Sequence, residues 1–229
     1  MKIIGISTSG RLNGNTSRLV KRCLEKAAEL GAQTEFIWAG NKKLAYCTAC
    51  EHCMKTGECI IKDDYQEIMN KVLDADGLVM GTPNYAFNMS GLMKTIYDRS
   101  HCLLYYRRKL AGKYAIGISV GGHSYMTAKI AKTVAQGIWL CGGYYTGYLA
   151  GVSVKRDEPQ LVDEAQTFAQ ADSLATKLFR NIRDKKTFLW QRWLRGRFLF
   201  PAVTRMVVNN KDKYPYLYNY YLDKKWLKP

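Results

Sequence analysis

Cys47, Cys50, Cys53 and Cys59 lie in one short stretch, "YCTACEHCMKTGEC" (46–59), spaced C-x2-C-x2-C-x5-C. Two overlapping C-x2-C steps can wrap three thiolates around one corner of an iron-sulfur cluster, with the fourth ligand from nearby. Structural zinc sites more often join two separate C-x2-C pairs. Gly57, two residues before Cys59, permits the tight reversal that would return the last thiolate. On spacing alone, zinc, a redox dithiol and a loop of free thiols stay open beside the cluster. His52 reads as an outer hydrogen-bond donor or an exposed residue, whereas Cys23, Cys102 and Cys141 fall in helical patterns and read as small core hydrophobes.

A second candidate follows the first apolar run. "KIIGIS" passes into "TSGRLNGNTS", a loop dense in hydroxyls and amides (Ser7, Ser9, Asn13, Asn15, Thr16, Ser17) with Arg11 among them. Backbone N–H groups and a helix N-terminus converge on an anion at such a loop. It lacks the Gly-Lys-Ser/Thr ending of a nucleoside-triphosphate loop and the GxGxxG with a following acid of a dinucleotide site. A terminal phosphate monoester suits it, against the plainer reading of a polar turn with Asn15 or Thr16 as N-cap. Two more polar, Gly-rich loops, "GTPNYAFNMSG" (81–91) and "SVGGHS" (119–124), follow later strands. The three loops at one sheet edge would form a pocket for a planar heterocycle with a phosphate arm.

The elements that would position these residues alternate. Strands read at "KIIGIS", "GAQTEFIWA", "DGLVMGTP", "KYAIGISV" and "GGYYTGYLAGVSV", with amphipathic helices between and after them. Two aspartates open the helix "DDYQEIMNKVLDA" at its positive end. Such alternation implies right-handed crossovers over a parallel sheet covered on both faces. The fold expected is α/β: a flavodoxin-like, doubly wound, five-stranded parallel sheet with a basic, aromatic C-terminal extension. Residues 1–182 form that domain, with the cysteine loop at 44–60, and 183–229 form the extension.

With 229 residues, 47% of them hydrophobic, the chain suffices for one such core plus an appendage. No signal-peptide pattern or span of membrane length is evident, so a soluble cytoplasmic protein is expected, where clustered thiols stay reduced. The formal charge is +16. From Arg180 to Pro229, thirteen Lys/Arg oppose three Asp, a net +10. That bias implies an acidic partner or an anionic surface. The tail carries no nucleic-acid-binding motif, so no nucleic acid is expected. Its many aromatics argue against a disordered arm. The tail is expected to pack as an extended, ring-anchored wrap after a helix holding Trp190 and Trp193, with its cations outward to steer an acidic ferredoxin. Lying on anionic lipid through "FLWQRWLRGRFLF" is the competing reading.

"ISTSGRLNGNTSRLV", "CTACEHCMKTGECIIKDD" and "DADGLVMGTPNYAFNMSGLMKTIYDR", in this order, resemble the iron-sulfur flavoprotein branch of the NAD(P)H-dependent FMN reductase family over about residues 1 to 180. The resemblance implies that Ser7, Ser9, Arg11, Asn13, Asn15, Thr16 and Ser17 hold the FMN phosphate. It implies that Thr82, Pro83, Asn84, Tyr85, Phe87 and Asn88 line the isoalloxazine ring, with Ser119, Gly121 and Gly122 closing the other side. It further implies a 4Fe-4S cluster on Cys47, Cys50, Cys53 and Cys59, and a homodimer in which the cluster of one subunit approaches the FMN of the other. Many members carry Pro where Gly10 stands and Val where Asn84 stands, so the flavin potential is not inherited with the resemblance. The expected function is electron transfer from a ferredoxin or NAD(P)H to a small acceptor. A cluster-free flavin or quinone reductase and a binding module are the alternatives. No residue stands out as a catalytic acid or nucleophile, although His123 or Tyr125 could donate a proton.

Overall fold

The computed structural model describes residues 1–154 and 159–227. Its strands are β1 (Lys2–Ser7), β2 (Gln33–Trp38), β3 (Gly77–Tyr85), the two-residue β4 (Asn88–Met89), β5 (Tyr114–Gly121) and β6 (Tyr144–Val152). Five of them pair in parallel in the order β2-β1-β3-β5-β6. β1, β3 and β5 are buried almost throughout, as central strands covered on both faces must be. β4 is the one addition to the expected sheet. It folds back antiparallel on the end of β3 in a two-residue hairpin, with positive φ at both Ala86 and Phe87.

Helices α1 (Asn15–Glu29) and α6 (Glu164–Arg183) cover one face, packing Leu19, Val20, Leu24, Ala171, Ala175 and Leu178 against Ile3, Val79 and Ile118. After the short α2 (His52–Thr56), α3 (Tyr65–Asp74), α4 (Gly91–Ser100) and α5 (Ser124–Leu140) cover the other. Their Ile68, Val72, Met93, Ile96, Ile130 and Val134 meet Ile4, Ile6, Leu78 and Met80 there. The chain leaves β1 towards β2 on one side and returns to β3 on the other. The carboxyl ends of β1 and β3 therefore open into a crevice at the topological switch point.

The tail departs from the expected extended wrap. It is helical: α7 (Leu189–Leu194), a π turn (Arg195–Leu199), α8 (Phe200–Asn209) and α9 (Pro215–Asp223). Tyr214, Leu217 and Tyr221 are buried at i, i+3 and i+7, the spacing of one helix face, and Pro215 sits at the first helical position, where it costs no hydrogen bond. These residues, with Val203 and Val207 of α8, enclose Met54 of α2 in a third core, against which Tyr105 and Tyr106 pack. The tail thus packs on its own domain, against the cysteine loop. Tyr221→Ala, at a fully buried side chain whose hydroxyl donates to Tyr106 O at 2.7 Å, should cost about 3 to 5 kcal/mol in chemical denaturation. The same change should speed proteolysis within 45–60, because Met54 loses its cover.

Candidate functional site

A cleft of about 940 Å³ opens at the switch point. Ser9, Arg11, Asn15 and Thr16 form one wall, Pro83, Asn84, Tyr85 and Phe87 another, and Gly121 and Gly122 a third. Gly14, in extended conformation, is the N-cap of α1, and its backbone needs no capping side chain. Asn15 and Thr16, one of which the plainer reading made the N-cap, both lie in the first turn of α1, and Gly14 N donates to Arg11 O at 3.1 Å just before them. Asn15 is held by Nδ2 donating to Ser153 Oγ at 3.2 Å and to Gln160 O at 3.0 Å. The first turn of α1 thus lines the cleft through Asn15 and Thr16, and the N–H groups of a helix N-terminus suit an anion.

Six predicted residues lie behind or beside these walls. Ser7 and Ser17 are fully buried and share a hydrogen bond at 2.8 Å, and Ser17 also donates to Arg11 O, so the pair braces the loop from beneath. Thr82 accepts from Ser90 N at 2.9 Å, and Ser90 Oγ bonds Thr8 Oγ1 at 2.9 Å, which ties the first loop to the second. Asn88 caps its own hairpin at Met89 N, Asn13 accepts from Lys21, and Ser119 is buried in β5 with no hydrogen-bond partner at its Oγ. Sequence reasoning left out Ala86, Ser153 and Val154 as lining residues. The last two follow β6, whose end was not counted among the loops. His123 also lines the cleft, its ring stacked on Phe87 at 6.3 Å. Gly121 is required by close packing: a Cβ there would stand 2.7 Å from Asn84 Cβ and 2.8 Å from Thr127 Oγ1.

Cys47, Cys50, Cys53 and Cys59 line a second cavity, of about 780 Å³, on the other side of the β3–β4 hairpin. Met89 faces this cavity, and Tyr85 and Phe87 face the cleft. All seven cysteines are free thiols. Among the described residues, no three His, Cys, Asp or Glu side chains converge closely enough to hold a metal ion, so the four thiols share a cavity without closing on one point. Cys102 lines it too, and its hydrogen bond holds the Cys53 thiol below the ordinary cysteine range.

The loop carrying these thiols is pinned from both sides. Arg99 of α4, whose side chain is fully buried, donates from Nη1 to Asp63 at 2.6 Å and to Ala45 O at 3.2 Å. Its Nη2 reaches Ile61 O at 3.1 Å and Cys59 Sγ at 3.5 Å, and its guanidinium lies over the Tyr65 ring at 4.2 Å. One side chain therefore joins both limbs of the loop. Burial disfavours both charges, but Asp63 and Cys59 outweigh it at Arg99, while Arg99 and the N–H groups of Ala45 and Tyr65 keep Asp63 below the usual carboxylate range. From the tail side, Lys213 pairs with Glu51 at 2.9 Å, and Arg107 donates to Gly57 O at 2.8 Å and to the Tyr216 hydroxyl at 3.1 Å. Gly57 has φ of +84 and lies so close under the Tyr216 ring that no side chain fits. Sequence reasoning missed Arg99. The available signal was its place three residues after Ile96, on the buried stripe of α4.

Residues 1–147 match the family of NADPH-dependent FMN reductases. An iron-sulfur flavoprotein of Methanocaldococcus jannaschii is 42% identical over 125 residues, 53% of this chain and 65% of the relative, so the chain spans just under two thirds of that protein's length. An iron-sulfur flavoprotein of Archaeoglobus fulgidus is 32% identical over 155 residues, 67% of this chain and 70% of the relative. Among solved structures, a flavone reductase superposes with a TM-score of 0.63 at 25% identity, covering 80% of this chain and 64% of that one. An archaeal flavodoxin shares the fold, with a TM-score of 0.53 at 12% identity over 80% of this chain and 99% of that one.

Arg99→Met strands the buried Asp63 charge and frees both limbs of the cysteine loop, and should cost about 3 to 5 kcal/mol at neutral pH by urea denaturation. Adding Asp63→Asn should recover part of that loss. Because the folded-state pKa of Asp63 is lowered, its contribution is present above the unfolded pKa and disappears as pH falls through the folded one, so the cost of Arg99→Met should shrink in acid.

Proposed function

The chain belongs to the NADPH-dependent FMN reductase family, in its iron-sulfur flavoprotein branch, and from that membership we propose a flavin-dependent oxidoreductase that binds FMN in the switch-point cleft and a 4Fe-4S cluster in the cysteine cavity. The observation that carries the proposal is the convergence of three sequence-distant loops on one polar cleft, open at the carboxyl ends of β1, β3 and β5. When bound, FMN exchanges one or two electrons and the cluster one, so the pair interconverts paired and single electrons.

The chain's own residues divide the work. Arg11 and the N-terminus of α1 hold the phosphate, with Ser9, Asn15 and Thr16 around it. Pro83, Asn84, Tyr85 and Phe87 flank the ring on one side, and Gly121 and Gly122 let the backbone approach on the other. Asn84 is oriented by its Nδ2 donating to Thr127 at 3.2 Å, which leaves its carbonyl oxygen as an acceptor. His123, at the cleft edge, supplies a proton to a reduced substrate. In the second cavity four thiols are the donor set expected of a cluster, and the Arg99 cation offsets negative charge at Cys59.

The proposed donors are NAD(P)H or a reduced ferredoxin, and the acceptor is a small molecule. A homodimer belongs to the same reading, because Tyr85 and Phe87 are 54% and 61% exposed and a second copy would cover them. Seven free cysteines suit the reducing cytoplasm. The second reading is a cluster-free NAD(P)H-dependent flavin or quinone reductase, which the family match over residues 1–147 supports without the cysteine loop's chemistry.

Anaerobic purification with quantification of flavin, iron and sulfide tests both. FMN together with iron and sulfide is the expected outcome. FMN alone would establish the second reading, FAD would remove the argument from the phosphate loop, and a flavin-free protein would overturn the proposal. Two variants separate the sites. Cys53→Ser should lose iron and sulfide while retaining FMN. Gly121→Ala should weaken FMN binding about tenfold in a fluorescence titration, roughly 1.4 kcal/mol, and leave the iron content unchanged.

A further inference from the structure

The tail segment formed by α7 and the π turn is built inside out. Its buried side chains are Gln191 and Arg195, at 1% and 4% exposure, whereas Leu189, Trp190, Trp193 and Phe198 are 74%, 50%, 60% and 58% exposed. The sequence led to the opposite expectation, with the rings anchored and the arginines outward.

The inward polar face has a structural reason. β6 is an edge strand with a register shift opposite Ala115 and Ile116, which leaves ladder groups of Tyr145 to be satisfied elsewhere. The Gln191 amide supplies both partners, accepting from Tyr145 N at 3.2 Å and donating to Tyr145 O at 2.9 Å. The Gln191 carbonyl accepts from Trp139 Nε1 at 3.2 Å. Arg195 donates to the carbonyls of Trp139 and Gly143 and lies 5.0 Å over the Tyr144 ring. Polar bonds thus fix the orientation of the segment, and four large apolar side chains are held in water.

These four side chains form a patch rather than scattered exposures. The π turn stretches the spacing so that Trp193 and Phe198, five residues apart, meet edge to face at 5.7 Å. Trp190 leans against Tyr145 at 5.6 Å. Exposed Lys185, Lys186, Arg192 and Arg197 flank these residues along the chain, with the Arg197 guanidinium 5.5 Å from the Phe198 ring, and no Asp or Glu occurs between Asp184 and Asp212.

We propose that this face seats the protein on an anionic lipid bilayer. Two tryptophans, a phenylalanine and a leucine framed by cations match the interfacial layer, where ring bodies enter the acyl boundary and cations meet lipid phosphates. Charge decides against a second copy, since the same face would bring like charges together in a tail of net +10. Among the described residues no helix is long and apolar enough to cross a membrane, so the contact is peripheral. The proposal does not depend on either cofactor.

Sedimentation of the full-length protein with vesicles tests it. Binding is expected to vesicles of phosphatidylcholine with about one third phosphatidylglycerol, and at least about tenfold weaker binding to phosphatidylcholine alone. Trp190→Ser combined with Trp193→Ser should lower binding to the anionic vesicles by about tenfold or more with an unchanged unfolding transition, because both rings are largely exposed. Arg192→Gln and Arg197→Gln should each lower it about fivefold, and Lys177→Gln on α6 should not change it. No binding to the anionic vesicles would overturn the proposal. So would binding that the double serine variant keeps and salt abolishes, since charge alone would then account for it. A dimer that the serine variant converts to monomer, without vesicle binding, would assign the face to a second copy. A soluble acidic protein that competes at the patch while vesicles do not bind would assign it to that partner class.

Discussion

A guanidinium sealed from water must find its partners within the protein, and where Arg99 finds them decides where the cysteine loop lies. The residue is 2% exposed, and its bonds reach Ala45, Cys59, Ile61 and Asp63, the two limbs of the loop, while Tyr65 stacks beneath. Desolvation makes the loss of any of these partners costly, the more so because the buried Nε has none of its own, so the loop has little freedom to adopt a different path at its base. Its tip is different. Cys47 and Cys50 are exposed, and Ala49 and Glu51 take left-handed backbone conformations that fit a tight, irregular turn. A base fixed by charge and a tip shaped by turns suit a loop that holds its thiols around a common space.

The tail closes the loop from the opposite side. Met54 belongs to the core made by α8 and α9, and Lys213 and Tyr216 reach Glu51 and the edge of Gly57. The extension is therefore part of the second cavity's support, although the family match ends at residue 147. The switch-point cleft depends on neither device. It rests on Thr8, Thr82 and Ser90 tying the first two loops together and on the Ser7–Ser17 pair bracing the first loop from beneath.

What could be read from the sequence follows from how strongly each pattern is determined. β1, β3 and β5 are continuous apolar runs because both their faces are covered, and the sheet, its helices and the cleft at its switch point follow from that. α9 was hidden because tyrosine occupies both its inner and outer positions, so Tyr214 and Tyr221 could not be told from Tyr216 and Tyr218 by type. Arg99 was hidden by the ordinary rule that arginine is exposed, which fails where a carboxylate and carbonyls converge on it. Ser7, Ser17 and Thr82 were legible as polar residues at the right loops, but their role as braces depends on partners ten and eight residues away in sequence.

α7 shows why an amphipathic pattern has no intrinsic inside. Periodicity gives two faces and leaves their assignment to whatever lies beneath. Beneath α7 lies a strand edge with unpaired backbone groups, not an apolar floor, and an unpaired buried N–H or C=O costs more than an exposed ring does. Gln191 and Arg195 meet that demand, so the rings turn outward. The exposure of Trp190 and Trp193 is then a consequence of edge satisfaction, and the cations around them determine what the exposed face can meet. The π turn runs directly into α8, and α8 into the core under Met54, so continuous helical structure joins the aromatic face to the element beneath the cysteine loop.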